Sequence, residues 1–163
     1  AVAACEMLQD VLGLSFDAGQ IKAGLEAVRW SGRCQLIRRD PPLLLDGAHN
    51  PGAARALGET LRKLAAKSPI GLVVGMCGDK EVDAFLHVLL PFAERLWAVR
   101  IEDPRSIDPE ILARIASVRG VAADECRLDT ALDESRRWAK SEGGLVCVTG
   151  SLFLVGQVLR EFG

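Results

Sequence analysis

Several kinds of chemistry are excluded by patterns this chain does not contain. No G-x-x-x-x-G-K-[ST] segment occurs, so the chain has no P-loop of its own to cradle nucleotide phosphates. No G-x-S-x-G elbow presents a serine nucleophile. The stretch Gly71-Leu-Val-Val-Gly-Met-Cys-Gly78 lacks the G-x-G-x-x-G spacing of a dinucleotide fingerprint. Positive charge is not in excess: 20 Lys and Arg against 22 Asp and Glu give a net charge of -2. There is thus no diffuse basic field for nucleic acid or an acidic membrane, while small or locally charged ligands remain open. No cationic segment opens the chain, and the best apolar stretch, Leu145 to Gly156, is broken by Thr149, Gly150 and Ser151. Neither secretion nor membrane insertion is expected. The five cysteines (Cys5, Cys34, Cys77, Cys126, Cys147) are odd in number and share no C-x-x-C spacing. Most sit among apolar residues, which predicts reduced, buried thiols in a cytoplasmic protein.

With 163 residues the chain is one ordinary domain in size, able to bury roughly 70% of its unfolded surface without a covalent staple. Its opening, Ala1-Val-Ala-Ala-Cys-Glu-Met-Leu, has the character of a helix interior with neither initiator Met nor N-cap, as expected for a fragment of something longer. Helices are predicted over 1–12 and 18–29 around Gly13, with Ile21, Leu25 and Val28 on one face. This pair reads as part of a linker or neighbouring domain. From Cys34 onward, strands near 34–38, 42–46, 70–76, 96–101 and 144–149 alternate with helices near 51–66, 81–94, 108–118, 130–141 and 151–161. Such alternation predicts βαβ units and a largely parallel sheet flanked by helices. Asn50-Pro51 and Asp108-Pro109 are cap-plus-first-turn pairs, and Asp129 and Ser151 are expected to cap later helices. Pro91 should kink or split its helix after Leu90.

The densest signal is Leu43-Leu-Leu-Asp-Gly-Ala-His-Asn-Pro51, which packs an apolar strand, a carboxylate, an imidazole and a helix start into one short segment. In open α/β sheets, ligands bind beyond the carboxyl ends of strands, where helix N-termini offer free N–H groups to anions. Asp46, His49 and Asn50 follow one predicted strand; Gly78, Asp79 and Lys80 the next; Pro104, Arg105 and Ser106 a third; Gly150 and Ser151 the last. If these strands are parallel neighbours, one rim carries a Lys, an Arg, a His, two Asp and two helix N-termini, a site for phosphate or carboxylate. Taken singly, Asn50 and Ser151 are better explained as caps and Lys80 as a solvated charge. His49 beside Asp46 favours function, because two ionisable groups at a buried strand end are costly to desolvate. His87, among Leu86, Val88 and Leu89, reads as a partly buried structural histidine.

Four segments in order, Trp30-Ser-Gly-Arg33, Asp46-Gly-Ala-His-Asn-Pro51, Gly75-Met-Cys-Gly-Asp79-Lys80 and Val148-Thr-Gly-Ser-Leu-Phe-Leu-Val-Gly156, resemble the C-terminal part of the folylpolyglutamate synthase/dihydrofolate synthase family of the Mur ligase superfamily. The resemblance implies a Rossmann-like three-layer α/β domain over residues 34–163, preceded at 1–33 by the end of an ATPase domain and an interdomain linker. The P-loop ATPase domain itself would lie outside this chain. It further implies a ligase that uses ATP and Mg2+ to phosphorylate a folate or dihydropteroate carboxylate, with L-glutamate then displacing phosphate. On this resemblance Arg33 and Asp46 would bind the nucleotide. His49 and Ser151 would bind glutamate, with His49 also a candidate catalytic residue. Asn50, Lys80 and Arg105 would be further cleft residues. The metal ligands and most of the folate site would belong to the ATPase domain, so the fragment alone would be inactive. The chain departs from the family pattern at Ser31, where Pro is usual, at Glu81, where Asp is commoner, and at Phe153, where an aromatic hydroxyl is frequent. Ser31 would leave the linker less rigid than Pro does. Three other readings stay open: the equivalent domain of another Mur-type amide ligase, a non-catalytic anion-binding α/β module, and a purely structural or protein-interaction domain.

Overall fold

The computed structural model describes residues 2–13, 15–28, 30–65 and 68–162; of the predicted helices, the ends at Ala1, Arg29 and Ala66 lie outside the described residues. The chain divides into two compact units, Ala1–Ser31 and Gly32–Gly163. The first holds α1 (Val2–Leu12) and α2 (Ala18–Ala27). A reciprocal capping box starts α2: the Asp17 carboxylate accepts the Gln20 N–H, and the Gln20 side chain accepts the Asp17 N–H. No residue of either helix is buried.

The division falls between Ser31 and Gly32, so Gly32 and Arg33 join the second unit. Backbone and side-chain bonds bind this turn there: Gly32 N–H donates to the Gln35 side chain at 2.8 Å, and Gly47 N–H donates to the Gly32 carbonyl at 2.9 Å.

The second unit is a six-stranded sheet in the order β1-β2-β6-β3-β4-β5. The strands are β1 (Gln35–Ile37), β2 (Leu43–Leu45), β3 (Ile70–Val74), β4 (Arg95–Val99), β5 (Ala122–Cys126) and β6 (Leu145–Thr149). The segment 38–42 is too short for a crossover, and β1 accordingly pairs antiparallel with β2; every other pairing is parallel. Helices α3 (Pro51–Leu64), α4 (Val82–Leu89) and α5 (Pro109–Val118) pack their apolar faces with Leu44, Leu72, Leu96 and Cys147. Helices α6 (Leu128–Glu142) and α7 (Leu152–Phe162) cover a second core with Leu43, Leu45, Val73, Trp97 and Val148. Alternate residues of one strand therefore enter opposite cores, which is why β2 can read Leu-Leu-Leu and be buried throughout. The largely parallel sheet flanked by helices expected from the alternating pattern is present, in the Rossmann-like three-layer form that the resemblance implies.

Local chemistry fixes most boundaries. Asn50 accepts the Ala53 N–H at 2.9 Å and Asp108 accepts the Glu110 N–H at 3.1 Å, each with proline in the first turn. Pro91 splits its helix as expected: α4 ends at Leu89 and a 3-10 turn follows over Leu90–Phe92.

Other expectations need correction. β5 has no counterpart among the predicted strands because it is an edge strand whose side chains are exposed or half-buried, so it carries no apolar run. Asp129 does not cap α6, which begins at Leu128; its carboxylate lies inside the first turn and pairs with Arg127. His87 is exposed in the last turn of α4 rather than half-buried. Of the cysteines only Cys77 and Cys147 are buried; Cys5 and Cys126 are half-buried and Cys34 is exposed.

Gly71 and Gly75, which could suggest a nucleotide loop, have packing reasons instead. A Cβ on Gly71 would stand 2.8 Å from Trp138 and 2.9 Å from Trp97, two indoles packed edge-on at 5.8 Å between centroids. One at Gly75 would stand 2.9 Å from the Val99 carbonyl. We predict that Gly71→Ala destabilises the protein by about 1–3 kcal/mol through overpacking. Chemical denaturation read by tryptophan fluorescence checks this; an unchanged midpoint would mean that the indoles yield freely.

Candidate functional site

Four loops leave the carboxyl ends of β2, β3, β4 and β6. The β6 strand lies between β2 and β3, yet α7 after it covers the opposite face from α3 and α4. A crevice opens where successive connections diverge in this way.

At the end of β2, Asp46 is almost fully buried, with one oxygen accepting the Ala48 N–H at 2.8 Å. The other accepts the Cys34 N–H at 2.8 Å and the Cys34 thiol at 3.3 Å. These bonds hold Cys34 at φ 44°, a left-handed conformation uncommon outside glycine. Partial desolvation of the thiol, reinforced by its hydrogen bond to the Asp46 carboxylate, pushes Cys34 above its ordinary pKa. Asp46 thus pins the Gly32–Cys34 turn, with exposed Arg33 at its centre, to the strand end.

The His49 Nδ1 lies 2.9 Å from the Gly47 carbonyl. A carbonyl only accepts, so Nδ1 carries the hydrogen, and in the neutral form of the ring Nε2 is the acceptor. The Asp46 oxygens are taken by backbone N–H groups and the Cys34 thiol.

The β3 and β4 loops are fastened together, because Gly78 N–H donates to the Arg105 carbonyl at 2.8 Å and Ile107 N–H to the Met76 carbonyl at 2.9 Å. Lys80 Nζ donates to Asp79 at 3.1 Å, and this bond holds the Asp79 carboxyl below the usual carboxylate range. The Arg105 guanidinium is held by Asp103, whose paired hydrogen bonds raise its already high pKa. It also lies 5.7 Å from the centre of the Phe153 ring.

After β6, Gly150 adopts φ 101°, and a Cβ there would stand 2.7 Å from the Gly75 carbonyl, so only glycine makes this turn. Its N–H donates to the Ala48 carbonyl at 2.9 Å, which joins the β6 and β2 loops. Ser151, also buried, caps α7 as expected, its Oγ accepting the Phe153 N–H at 3.1 Å. The hydroxyl proton remains available to an acceptor.

These loops enclose a cavity of about 170 Å³ lined by His49, Cys77, Lys80, Arg105, Gly150, Ser151, Leu152 and Phe153. It is smaller than the ~300–1,000 Å³ typical of drug-sized ligands, a size suited to a small anion or an amino acid. Of the residues singled out from sequence, His49, Lys80, Arg105 and Ser151 come together here. Arg33, Asp46 and Asn50 do not line it. Asn50 spends its side chain on the α3 cap. Sequence reading passed over Cys77 and Leu152 as lining residues and Asp103 as the partner of Arg105. Burial pushes the Cys77 thiol upward in pKa, making it a neutral wall. Among the described residues no group of three His, Cys, Asp or Glu side chains could hold a metal ion.

Asp46→Ala should lower stability by about 1–3 kcal/mol, because it strands buried N–H groups of the β2 end. Urea unfolding tests this; an unchanged midpoint would show that the Gly32–Cys34 turn needs no carboxylate.

Known proteins share both sequence and fold with this chain. A family model for the Mur ligase glutamate ligase domain matches residues 32–152. The chain is 36% identical over 104 residues to the Mycobacterium tuberculosis dihydrofolate synthase/folylpolyglutamate synthase, covering 63% of this chain and 21% of that protein. Its fold matches the solved Mycobacterium tuberculosis folylpolyglutamate synthase complexed with ADP at a TM-score of 0.83 and 30% identity, over 96% of this chain and 37% of that one. It matches a bifunctional folylpolyglutamate synthase/dihydrofolate synthase with Mn, AMPPNP and L-glutamate bound at a TM-score of 0.78 and 29% identity, over 91% of this chain and 36% of that one. The chain therefore spans well under half the length of each of these relatives.

Proposed function

The chain belongs to the Mur ligase glutamate ligase domain family, and on that premise we propose that it is the C-terminal domain of an ATP-dependent ligase joining L-glutamate to a folate or dihydropteroate carboxylate. The observation that carries this reading is the cavity in which His49, Lys80, Arg105 and Ser151 meet at the start of α7. In the proposed reaction an acceptor carboxylate oxygen attacks the γ-phosphorus of ATP, ADP leaves, and an acyl phosphate forms. The glutamate amine then attacks the acyl carbon, loses a proton, and phosphate departs with the bonding electron pair. The products are ADP, phosphate and an amide.

Within this chain, the α7 N-terminus, the Ser151 hydroxyl and the Lys80 and Arg105 cations supply what an amino-acid dicarboxylate needs. His49 presents Nε2, able to accept a hydrogen bond from the attacking amine and hold it near the acyl carbon. Arg33, projected by the Asp46-pinned turn, serves the nucleotide. The Asp46 oxygens keep lone pairs that a ribose hydroxyl could use. On the family resemblance Mg2+ would be held by the ATPase domain outside this chain, and no step here runs through it. The same division makes the fragment inactive alone.

The test is ADP release by the full-length protein with ATP, Mg2+ and L-glutamate, comparing dihydropteroate, tetrahydrofolate and no acceptor. Acceptor-dependent ADP with a new glutamyl amide is the expected result. Silence from both pterins in a folded, ATP-binding protein would replace folate by another acceptor of the same ligase family. In that enzyme His49→Ala should raise KM for glutamate roughly tenfold and leave KM for ATP nearly unchanged, the mark of a lost substrate contact. Unaltered glutamate kinetics would remove His49 from the site.

A further inference from the structure

We infer that Asp103 is a positioning residue that presets Arg105 to receive a ligand carboxylate through one end of its guanidinium. This rests on the proposed glutamate site. Arg105 stands on a loop with its side chain about half exposed, a setting in which a long cationic side chain ordinarily samples many rotamers. Here it cannot. Its Nε and one terminal nitrogen each donate to an Asp103 oxygen at 3.0 Å, the parallel two-bond fork that best orients a guanidinium. Its own N–H donates to the same carboxylate at 2.8 Å.

Asp103 is itself fixed, with a side chain only 10% exposed. Its N–H donates to the Ile101 carbonyl at 2.8 Å and its carbonyl accepts the Ser106 N–H at 2.9 Å. Ser106 Oγ in turn accepts the Ile101 N–H at 3.1 Å. On the guanidinium face, the Phe153 ring limits tilting. The fork occupies one edge of the guanidinium. The second terminal nitrogen stays outside it, 3.9 Å from Asp79, a separation beyond hydrogen-bond range. Arg105 therefore keeps three of its five N–H groups, two on the second terminal nitrogen and one on the first, for a ligand carboxylate, and Asp103, which does not line the cavity, determines where they sit.

The experiment uses the full-length protein and steady-state kinetics for L-glutamate with Asp103→Asn, Arg105→Ala, Arg105→Lys and the Asp103→Asn/Arg105→Ala pair. Asp103→Asn should raise KM for glutamate roughly tenfold, the order expected for a misplaced binding group, with kcat and KM for ATP little changed. Arg105→Ala should raise KM at least as much, and the double variant should be no worse than Arg105→Ala. Normal glutamate KM in Asp103→Asn, or an additive loss in the double variant, overturns the positioning role while Arg105→Ala still supports the site. Normal KM in Arg105→Ala overturns the placement of Arg105 in the site itself, and the inference with it. Should Asp103→Asn fail to fold, Arg105→Lys decides: it keeps the charge but cannot form the fork, so its KM should also rise roughly tenfold, and a normal KM overturns the inference.

Discussion

The insertion of β6 between β2 and β3 is the constraint on which the site depends. A strand buried on both faces must have its backbone groups paired on both edges, and β6 meets that requirement only between these two neighbours. The chain returns from the β5 edge through α6, on the opposite face from α3, α4 and α5. The β2 and β6 loops thereby emerge side by side and turn to opposite faces, and the α7 N-terminus arrives beside His49. None of these residues is near another in sequence. Their meeting is a consequence of strand order.

Backbone bonds between loops then convert this neighbourhood into a defined geometry. Gly150 N–H to Ala48, Gly78 N–H to Arg105 and Ile107 N–H to Met76 join the four loops pairwise without using a functional side chain. The cations of the site are each matched by a carboxylate one or two residues away: Lys80 by Asp79 and Arg105 by Asp103. Pairs whose cations reach solvent in this way contribute little to folding stability. Their effect is orientation, and they bring the cavity closer to electrical neutrality. Lys80 is held by a single bond to Asp79, whereas Asp103 holds Arg105 through a two-bond fork.

Much of this was legible before the structure because local rules and the fold agreed. Asn50-Pro51 and Asp108-Pro109 begin helices by the mechanism their chemistry predicts, and the buried runs at 43–45, 70–74 and 145–149 become the covered parallel strands. His49, Lys80, Arg105 and Ser151 could be placed on one rim because each follows a strand. What escaped was information carried by neighbours instead of pattern. β5 owes its conformation to hydrogen bonds from β4, not to apolar alternation. Cys34 looked like a core thiol but occupies a positive-φ turn held by Asp46. His87 sat among apolar residues in sequence, yet the helix turns it outward. Asp103, two residues before Arg105, carries no periodicity that could mark it as a partner.

Asp46 shows how a functional motif can be structural first. Its carboxylate is buried at a strand end, where an uncompensated charge would be expensive, and three donors surround it. Two of those donors come from Cys34, so the carboxylate is satisfied only when the Gly32–Cys34 turn folds back onto β2. The same bonds that remove the desolvation penalty therefore decide where Arg33 is projected. A neutral residue at position 46 would relieve the penalty but release the turn. A carboxylate held elsewhere would keep the charge without the anchor. The Asp-Gly-Ala-His-Asn-Pro run thus joins three separate requirements within six residues: an anion that binds the entering chain, a carbonyl at Gly47 that fixes the imidazole tautomer, and an amide side chain that starts α3.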